Sequence, residues 1–267
     1  MPATTATRDK WHWLHRGNKF LAKRLSTDTY IGLHLTVSFL VAAAAIWVGS
    51  ALLDAVLDNR TLVHYDIVVA TWIHGHVNPT GITVSTLISE IGSPTTMGVI
   101  AAIGGAIILW RRRFTLLIAW IAAFGGGGLL EKLLKNLVHR HRPQFTPTGP
   151  EEVSLSFPSG HTMMCTIGIA MVLYALFVPK RFGSPWRGVI AGVGLSLVLC
   201  VGVSRVYLGA HYPSDVHGGL LAGAGWVAIC VGVRGIAKHQ QTLRRERRNK
   251  VRAATSTPHA SHAHSRG

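Results

Sequence analysis

Six uninterrupted apolar runs, at residues 30–53, 94–110, 114–138, 159–178, 188–204 and 213–233, constrain this chain more than any other feature in it. A bilayer's hydrocarbon core is about 30 Å thick and takes roughly 20 helical residues to cross. The second and fifth runs are short, near the lower limit of about 17 residues. The fifth is retained as a span because Gly188 to Val203 carries no charge. Lipid offers no partner for backbone N–H and C=O groups, so such runs must satisfy their own hydrogen bonds as helices. The expected fold class is all-α, a polytopic membrane protein of six transmembrane helices. Charge content agrees: 14% of the 267 residues are charged, against about a quarter in soluble proteins. The run from Tyr30 to Leu53 is too long for the roughly 7–15-residue core of a signal peptide, and its leader is too long, so it is expected to remain as a span.

The formal net charge of +16 is distributed unevenly. Arg8, Lys10, Arg16, Lys19, Lys23 and Arg24 precede the first span, Arg111 to Arg113 follow the second, Lys180, Arg181 and Arg187 follow the fourth, and Arg244 to Arg252 follow the sixth. The alternate segment 54–93 carries Asp54, Asp58, Asp66 and Glu90 against Arg60. Lys and Arg favour cytoplasmic loops, so both termini are expected in the cytoplasm of a cell-membrane protein. Basic segments beside spans follow from topology and from anionic lipids, and call for no nucleic-acid partner. Cys165, Cys200 and Cys230 all fall within spans, with no CxxC spacing, and are expected as small apolar residues and not as a disulfide framework.

Three parts follow from this pattern. Residues 1–29 are a basic cytoplasmic segment, expected to form an interfacial helix around Trp11, Trp13 and Phe20. Residues 30–235 are the membrane domain. Residues 236–267 are a basic, partly disordered cytoplasmic tail, a solvated helical extension followed by a stretch rich in Ala, Ser, Thr and His. Within the domain, 54–93 is expected as two short amphipathic helices in the outer interface, broken at Asn78-Pro79, either a lid or a cap on the bundle. Gly219-Leu-Leu-Ala-Gly223 permits close helix contact, and Gly125 to Gly128 imply a kink or a tight crossing.

Polar clusters stand at three span boundaries, all on the side opposite the basic loops. Ionisable residues are expensive there and usually mark function. Lys135 and Arg142 place two cations at one mouth, with Pro143 ending the helix before Arg142; snorkelling to headgroups is the alternative role for Lys135. Ser159-Gly160-His161 opens the fourth span after Pro158. A Ser N-cap leaves free amides beyond it, and Gly160 lets an anion approach the backbone, which suits phosphate. His211 and Asp215 are four residues apart, with Arg205 upstream. An aspartate on one ring nitrogen fixes the tautomer and leaves the other nitrogen as a nucleophile; Asp215 also suits the start of the sixth span. Glu131, four residues before Lys135, is expected to pair with it. His139 and His141 are expected to face water. His74 and His76 have no third ligand in sequence, and His259, His262 and His264 lie in the tail.

Together the clusters resemble the signature of the type 2 phosphatidic acid phosphatase superfamily. Its pattern Lys-x6-Arg-Pro, Pro-Ser-Gly-His and Ser-Arg-x5-His-x3-Asp stands here as Lys135 to Pro143, Pro158 to His161, and Ser204 to Asp215. The resemblance covers about residues 60–235. The six spans and extracytoplasmic site resemble its bacterial membrane branch, which includes phosphatidylglycerophosphate and undecaprenyl diphosphate phosphatases, and not its soluble acid phosphatases and vanadium haloperoxidases.

The resemblance implies the acid phosphatase-like helical core and a role for each site residue. His211 would attack phosphorus and form a phosphohistidine, oriented by Asp215. His161 would protonate the leaving oxygen and then activate water. Lys135, Arg142, Arg205, Ser159 and the Gly160 amide would hold the phosphate oxygens. Phosphoryl transfer is mostly positioning and charge stabilisation, and three cations can serve where other enzymes use metal. The expectation is therefore no metal, no cofactor, and activity that survives chelation. The expected partner is a lipid phosphate, undecaprenyl diphosphate first, with phosphatidylglycerophosphate, phosphatidic acid and lipid A as alternatives. A phosphotransferase or a lipid transporter using the same site are the other classes. Intact His161, His211 and Asp215 argue against pure transport, because binding alone needs cations and not a nucleophile with its acid.

Overall fold

The computed structural model of the protein describes residues 30–58, 60–143, 145, 155–177 and 184–255. The described chain is helical: α1 (Tyr30–Asp58), α2 (Arg60–His74), α3 (Pro79–Ile91), α4 (Pro94–Trp110), α5 (Phe114–Val138), α6 (Gly160–Phe177), α7 (Ser184–Tyr207) and α8 (Pro213–Thr255). Six stretches are long and apolar enough to cross a bilayer. Their outward faces carry large apolar side chains: Phe39 is 72% exposed, Trp47 76% and Trp110 82%. So much exposed apolar surface suits lipid and not water. The chain is a multi-pass membrane protein. The helix expected around Trp11, the basic residues Lys180 and Arg181, and the tail histidines lie outside the described residues.

Local chemistry sets the helix ends that matter. Asn78 breaks the chain where expected, capping α3 by accepting from the Gly81 amide at 2.8 Å with Pro79 at the first position. Ser93 caps α4, accepting from the Thr96 amide at 3.2 Å. The end of α5 is His139, in the left-handed conformation, its amide bonded to the Lys135 carbonyl at 3.0 Å. Beyond α7, Gly209 takes φ 70°, which turns the chain back over Arg205.

The second span starts earlier than expected, and α3 packs on the bundle. A Cβ on Gly81 would collide with the Tyr207 ring, Ile88 packs on the cluster of Cys165, Val198 and Val201, and a Cβ on Gly92 would strike Val201. The apolar stretch runs from Pro79 to Trp110, longer than the expected 94–110. The reason is continuity: the amides of Gly92 and Ser93 still bond back to Ser89 and Glu90, so the α3–α4 junction costs little helical order.

α6 is the central helix, enclosed by α4, α5, α7 and α8. Met163, Ile167 and Met171 on it are fully buried against Met97, Trp120, Ala123 and Phe124, and Cys165 against Val198 and Val201. Its contact with α8 is backbone-close: a Cβ at Gly219 would meet the Ser159 carbonyl oxygen at 2.7 Å, and one at Gly223 the Met163 carbonyl oxygen at 2.9 Å. The small-residue pair therefore does what its spacing implied. The four-glycine run is a tight crossing within a continuous helix. Gly126 and Gly127 face Trp226 and Ile167, and the Trp226 indole N–H donates to the Ala122 and Ala123 carbonyls at 3.1 and 3.2 Å. Cys165 and Cys230 are buried filler, whereas Cys200 faces outward.

Candidate active site

Four helix ends meet at one end of the bundle: the C-termini of α5 and α7 and the N-termini of α6 and α8. Between them they deliver the three polar clusters, with the ends of α7 and α8 sharing one. His211 sits in the turn between α7 and α8 and is 1% exposed. Its amide bonds to the Arg205 carbonyl at 3.3 Å, so the last turn of α7 carries the ring. Nδ1 faces Asp215 Oδ2 at 3.6 Å and Nε2 faces Arg142 Nη1 at 3.4 Å. The first distance is an ion contact longer than a hydrogen bond, and catalytic bonds of this kind tighten when substrate is engaged. A guanidinium can only donate, so its place at Nε2 assigns that nitrogen the lone pair and Nδ1 the proton.

Burial pushes His211 below the ordinary histidine range, with Arg142 and Arg205 adding to the fall and Asp215 opposing it. The ring is neutral at pH 7, as a nucleophile must be. Burial likewise pushes the Tyr212 phenol up, against the pull of Arg140.

Arg142 Nη1 also donates to the Ala210 carbonyl at 3.0 Å, which fixes the guanidinium against the His211 turn. Arg205 is 6% exposed, and its Nη1 donates to Ser89 Oγ on α3 at 2.9 Å. Ser159 precedes α6, its hydroxyl 3.0 Å from Thr162 Oγ1, and its amide donates to the Asp215 carbonyl at 3.0 Å. The Ser159-Gly160-His161 sequence is thereby pinned to the first turn of α8. Lys135 pairs with Glu131 at 2.8 Å, as its spacing implied, and Glu131 lies where a Cβ on Gly160 would have to go. The Glu131 carboxylate uses the space that Gly160 leaves open, and Lys135 reaches the start of α6 through it. His161 follows on the first turn, half-buried. His139 and His141 are exposed, as expected. His74 stacks on Phe145 with ring centres 4.4 Å apart, and His76 bonds to the Trp72 carbonyl at 2.7 Å.

Two residues of the site were not anticipated. Arg140 bridges Asp66 and Asp215 at 2.7 and 2.8 Å, and Asp66 is 3% exposed on α2. The available signal was Asp66 itself, the one acid in an otherwise apolar and basic helix sequence. Chemically the assembly offers a neutral imidazole with a directed lone pair, a buried carboxylate behind it, and cations on three separate elements. Such a set has the chemistry to bind a phosphate group and to attack its phosphorus.

Comparison with known proteins places the chain in a family. The PAP2 superfamily matches residues 114–237. Phosphatidylglycerophosphatase B of Bacillus subtilis (strain 168) is 34% identical over 141 residues, 52% of this chain and 68% of that protein. Decaprenylphosphoryl-5-phosphoribose phosphatase of Mycobacterium tuberculosis (strain ATCC 25618 / H37Rv) is 35% identical over 156 residues, 55% of this chain and 77% of the other. The crystal structure of a transmembrane PAP2 type phosphatidylglycerolphosphate phosphatase from Bacillus subtilis superposes with a TM-score of 0.65 at 27% identity, covering 72% of this chain and 94% of that one.

Proposed function

The chain belongs to the PAP2 superfamily, and from that premise we propose that it is a membrane phosphatase that hydrolyses a lipid phosphate or diphosphate through a phosphohistidine on His211. The observation that carries the reading is the setting of His211, with a carboxylate toward Nδ1, a guanidinium toward Nε2, and a buried neutral ring.

In the first step Nε2 attacks phosphorus in line with the leaving oxygen. The N–P bond forms, the P–O bond breaks, and His161 gives its proton to the departing oxygen. Asp215 stabilises the charge that develops on the ring through the Nδ1 proton. In the second step His161 takes a proton from water, which attacks phosphorus and breaks the N–P bond. Inorganic phosphate leaves and His211 returns to its neutral form. Lys135, Arg142 and Arg205, with the Gly160 amide and Ser159 at the start of α6, stabilise the charge on the non-bridging oxygens throughout.

Undecaprenyl diphosphate is the first substrate in this reading, favoured by the polyprenyl-linked relative. Phosphatidylglycerophosphate, after the Bacillus relative, is the second. The active site faces outward from the cell membrane and both termini are cytoplasmic, because Arg111 to Arg113 join α4 to α5 at the end of the bundle opposite His211. The test is phosphate release by the purified protein in detergent with excess EDTA, on undecaprenyl diphosphate, phosphatidylglycerophosphate, phosphatidic acid and lipid A. Release that disappears in His211→Ala supports the reading. Absence of release from all four, or full activity in His211→Ala, overturns it.

A further inference from the structure

Asp66 belongs to none of the motifs, yet both its oxygens are engaged at the start of α8. Pro213 has no N–H, so Ser214 supplies the first free amide of that helix, and it donates to Asp66 Oδ1 at 3.0 Å. Asp66 thus caps α8 from another helix. Its Oδ2 accepts from the Ser214 hydroxyl and from Arg140 Nη2, the latter at 2.7 Å. Arg140 Nη1 donates to Ser214 Oγ at 2.7 Å and to Asp215 Oδ1 at 2.8 Å, and the guanidinium lies 4.3 Å above the Tyr212 ring. The second Asp215 oxygen, Oδ2, accepts from the Tyr212 amide at 2.8 Å and faces His211. One oxygen of Asp215 is therefore held by Arg140 and the other by the backbone, and the carboxylate plane cannot rotate without breaking one of them.

We infer that Arg140 and Asp66 are positioning residues that hold the Asp215 carboxylate so that Oδ2 meets His211 Nδ1 and selects the Nδ1–H tautomer. The charges explain why both are needed. Asp66 and Asp215 are 3% and 0% exposed, and buried carboxylates require pairing. Without Arg140, both buried carboxylates lose the guanidinium that joins them. Without Asp66, the guanidinium rests on Asp215 alone and draws its electron density away from the histidine. Sharing Arg140 between two acids leaves Asp215 oriented and still able to polarise the ring. A lysine, with a single point of charge, cannot fork in this way.

The kinetic consequence rests on the phosphatase reading, whereas the tautomer does not, and the experiment uses both. Full-length protein labelled with ¹⁵N-histidine is prepared in detergent. The His211 resonances are assigned by their loss in His211→Ala, and the tautomer is compared in wild type, Arg140→Ala, Arg140→Lys and Asp66→Asn. Phosphate release from undecaprenyl diphosphate and phosphatidylglycerophosphate is measured on the same samples. Wild type is expected as the Nδ1–H form. Arg140→Ala is expected to lose that preference and to lower kcat by about 100-fold, with KM within about threefold, because the phosphate-holding cations are untouched. Arg140→Lys should recover part of the rate, and Asp66→Asn should fall in the same direction by less. If Arg140→Ala does not fold, Asp66→Asn and Arg140→Lys carry the comparison, since both leave a cation beside Asp215. Folded variants that keep the wild-type tautomer and kcat overturn the inference, even while an active wild type upholds the phosphatase reading. A wild type inactive on both lipids whose tautomer still responds to Arg140 upholds the positioning role and removes the reading instead.

Discussion

Gly219→Ala isolates the spacing between the two halves of the site. A Cβ there meets the Ser159 carbonyl oxygen at 2.7 Å and the Met163 amide nitrogen at 3.2 Å, both backbone atoms that no side-chain rotation can clear. Restoring an ordinary contact, from 2.7 to 3.4 Å, takes a displacement of about 0.7 Å between α8 and the start of α6. That displacement stretches the 3.0 Å bond from the Ser159 amide to the Asp215 carbonyl and carries the Gly160 amide away from His211. A misplacement of about 1 Å costs on the order of 100-fold in rate, so about 20-fold is expected here, or ~2 kcal/mol of transition-state stabilisation. Stability should change less. Overpacking costs about 1–3 kcal/mol, and alanine in place of glycine returns about 1 kcal/mol of helix propensity. Gly223→Ala is the matched control: its Cβ meets the Met163 carbonyl oxygen at 2.9 Å, a slightly smaller intrusion one turn farther from Ser159. The assay is steady-state phosphate release beside the thermal midpoint of each variant in detergent. Gly219→Ala should lose activity well beyond its loss of stability, and Gly223→Ala should not. Equal activity in the two variants at equal stability would refute the argument that the α6–α8 spacing sets the geometry of the site.

Three further outcomes are expected. The acid limb of kcat/KM should lie below about pH 6.5, the ordinary histidine value, because burial lowers His211 and the ring must be neutral to attack. Asp215→Asn removes an interaction that raises it, so that limb should move to still lower pH while kcat falls; a limb moving upward would contradict the assignment. Arg205→Lys should lower kcat/KM by about 100-fold or more, because a single ammonium cannot hold Ser89 Oγ and still fork onto phosphate oxygens; wild-type kinetics would remove Arg205 from the site. With Cys165, Cys200 and Cys230 replaced, Thr80→Cys should react with an impermeant maleimide on intact cells and Arg112→Cys only after permeabilisation, and the reverse pattern would invert the proposed topology.

The spans were legible because hydropathy and length act residue by residue, and lipid leaves no alternative to helix. The motif residues were legible because their spacing is local, as with His211 and Asp215 across one turn or Glu131 and Lys135 on one helix face. What the sequence did not disclose is contact between distant elements. Asp66 lies 74 residues from Arg140 and looked like an ordinary acid on an outer segment. Ser89 lies 116 residues from Arg205 and carries no signal of its own. The early start of the second span has the same origin. Ile88 is apolar whether it faces lipid interface or Val201, and periodicity does not distinguish the two.

α8 is a single helix of 43 residues. At about 1.5 Å per residue it is roughly 65 Å long, twice the hydrocarbon thickness. α1 accompanies it as far as Gly235, where Leu35 packs, and Arg234 stacks near Tyr174 with its ring centre at 5.3 Å. Beyond that brace the helix runs on, placing Arg244 about 15 Å and Arg252 about 27 Å farther along its axis. Screening in physiological salt extends about 8 Å. A straight helix therefore raises its cationic end above the reach of the lipid headgroups, like a mast. Arg244, Arg245, Arg247, Arg248, Lys250 and Arg252 are thus carried on a rod whose other end holds Asp215.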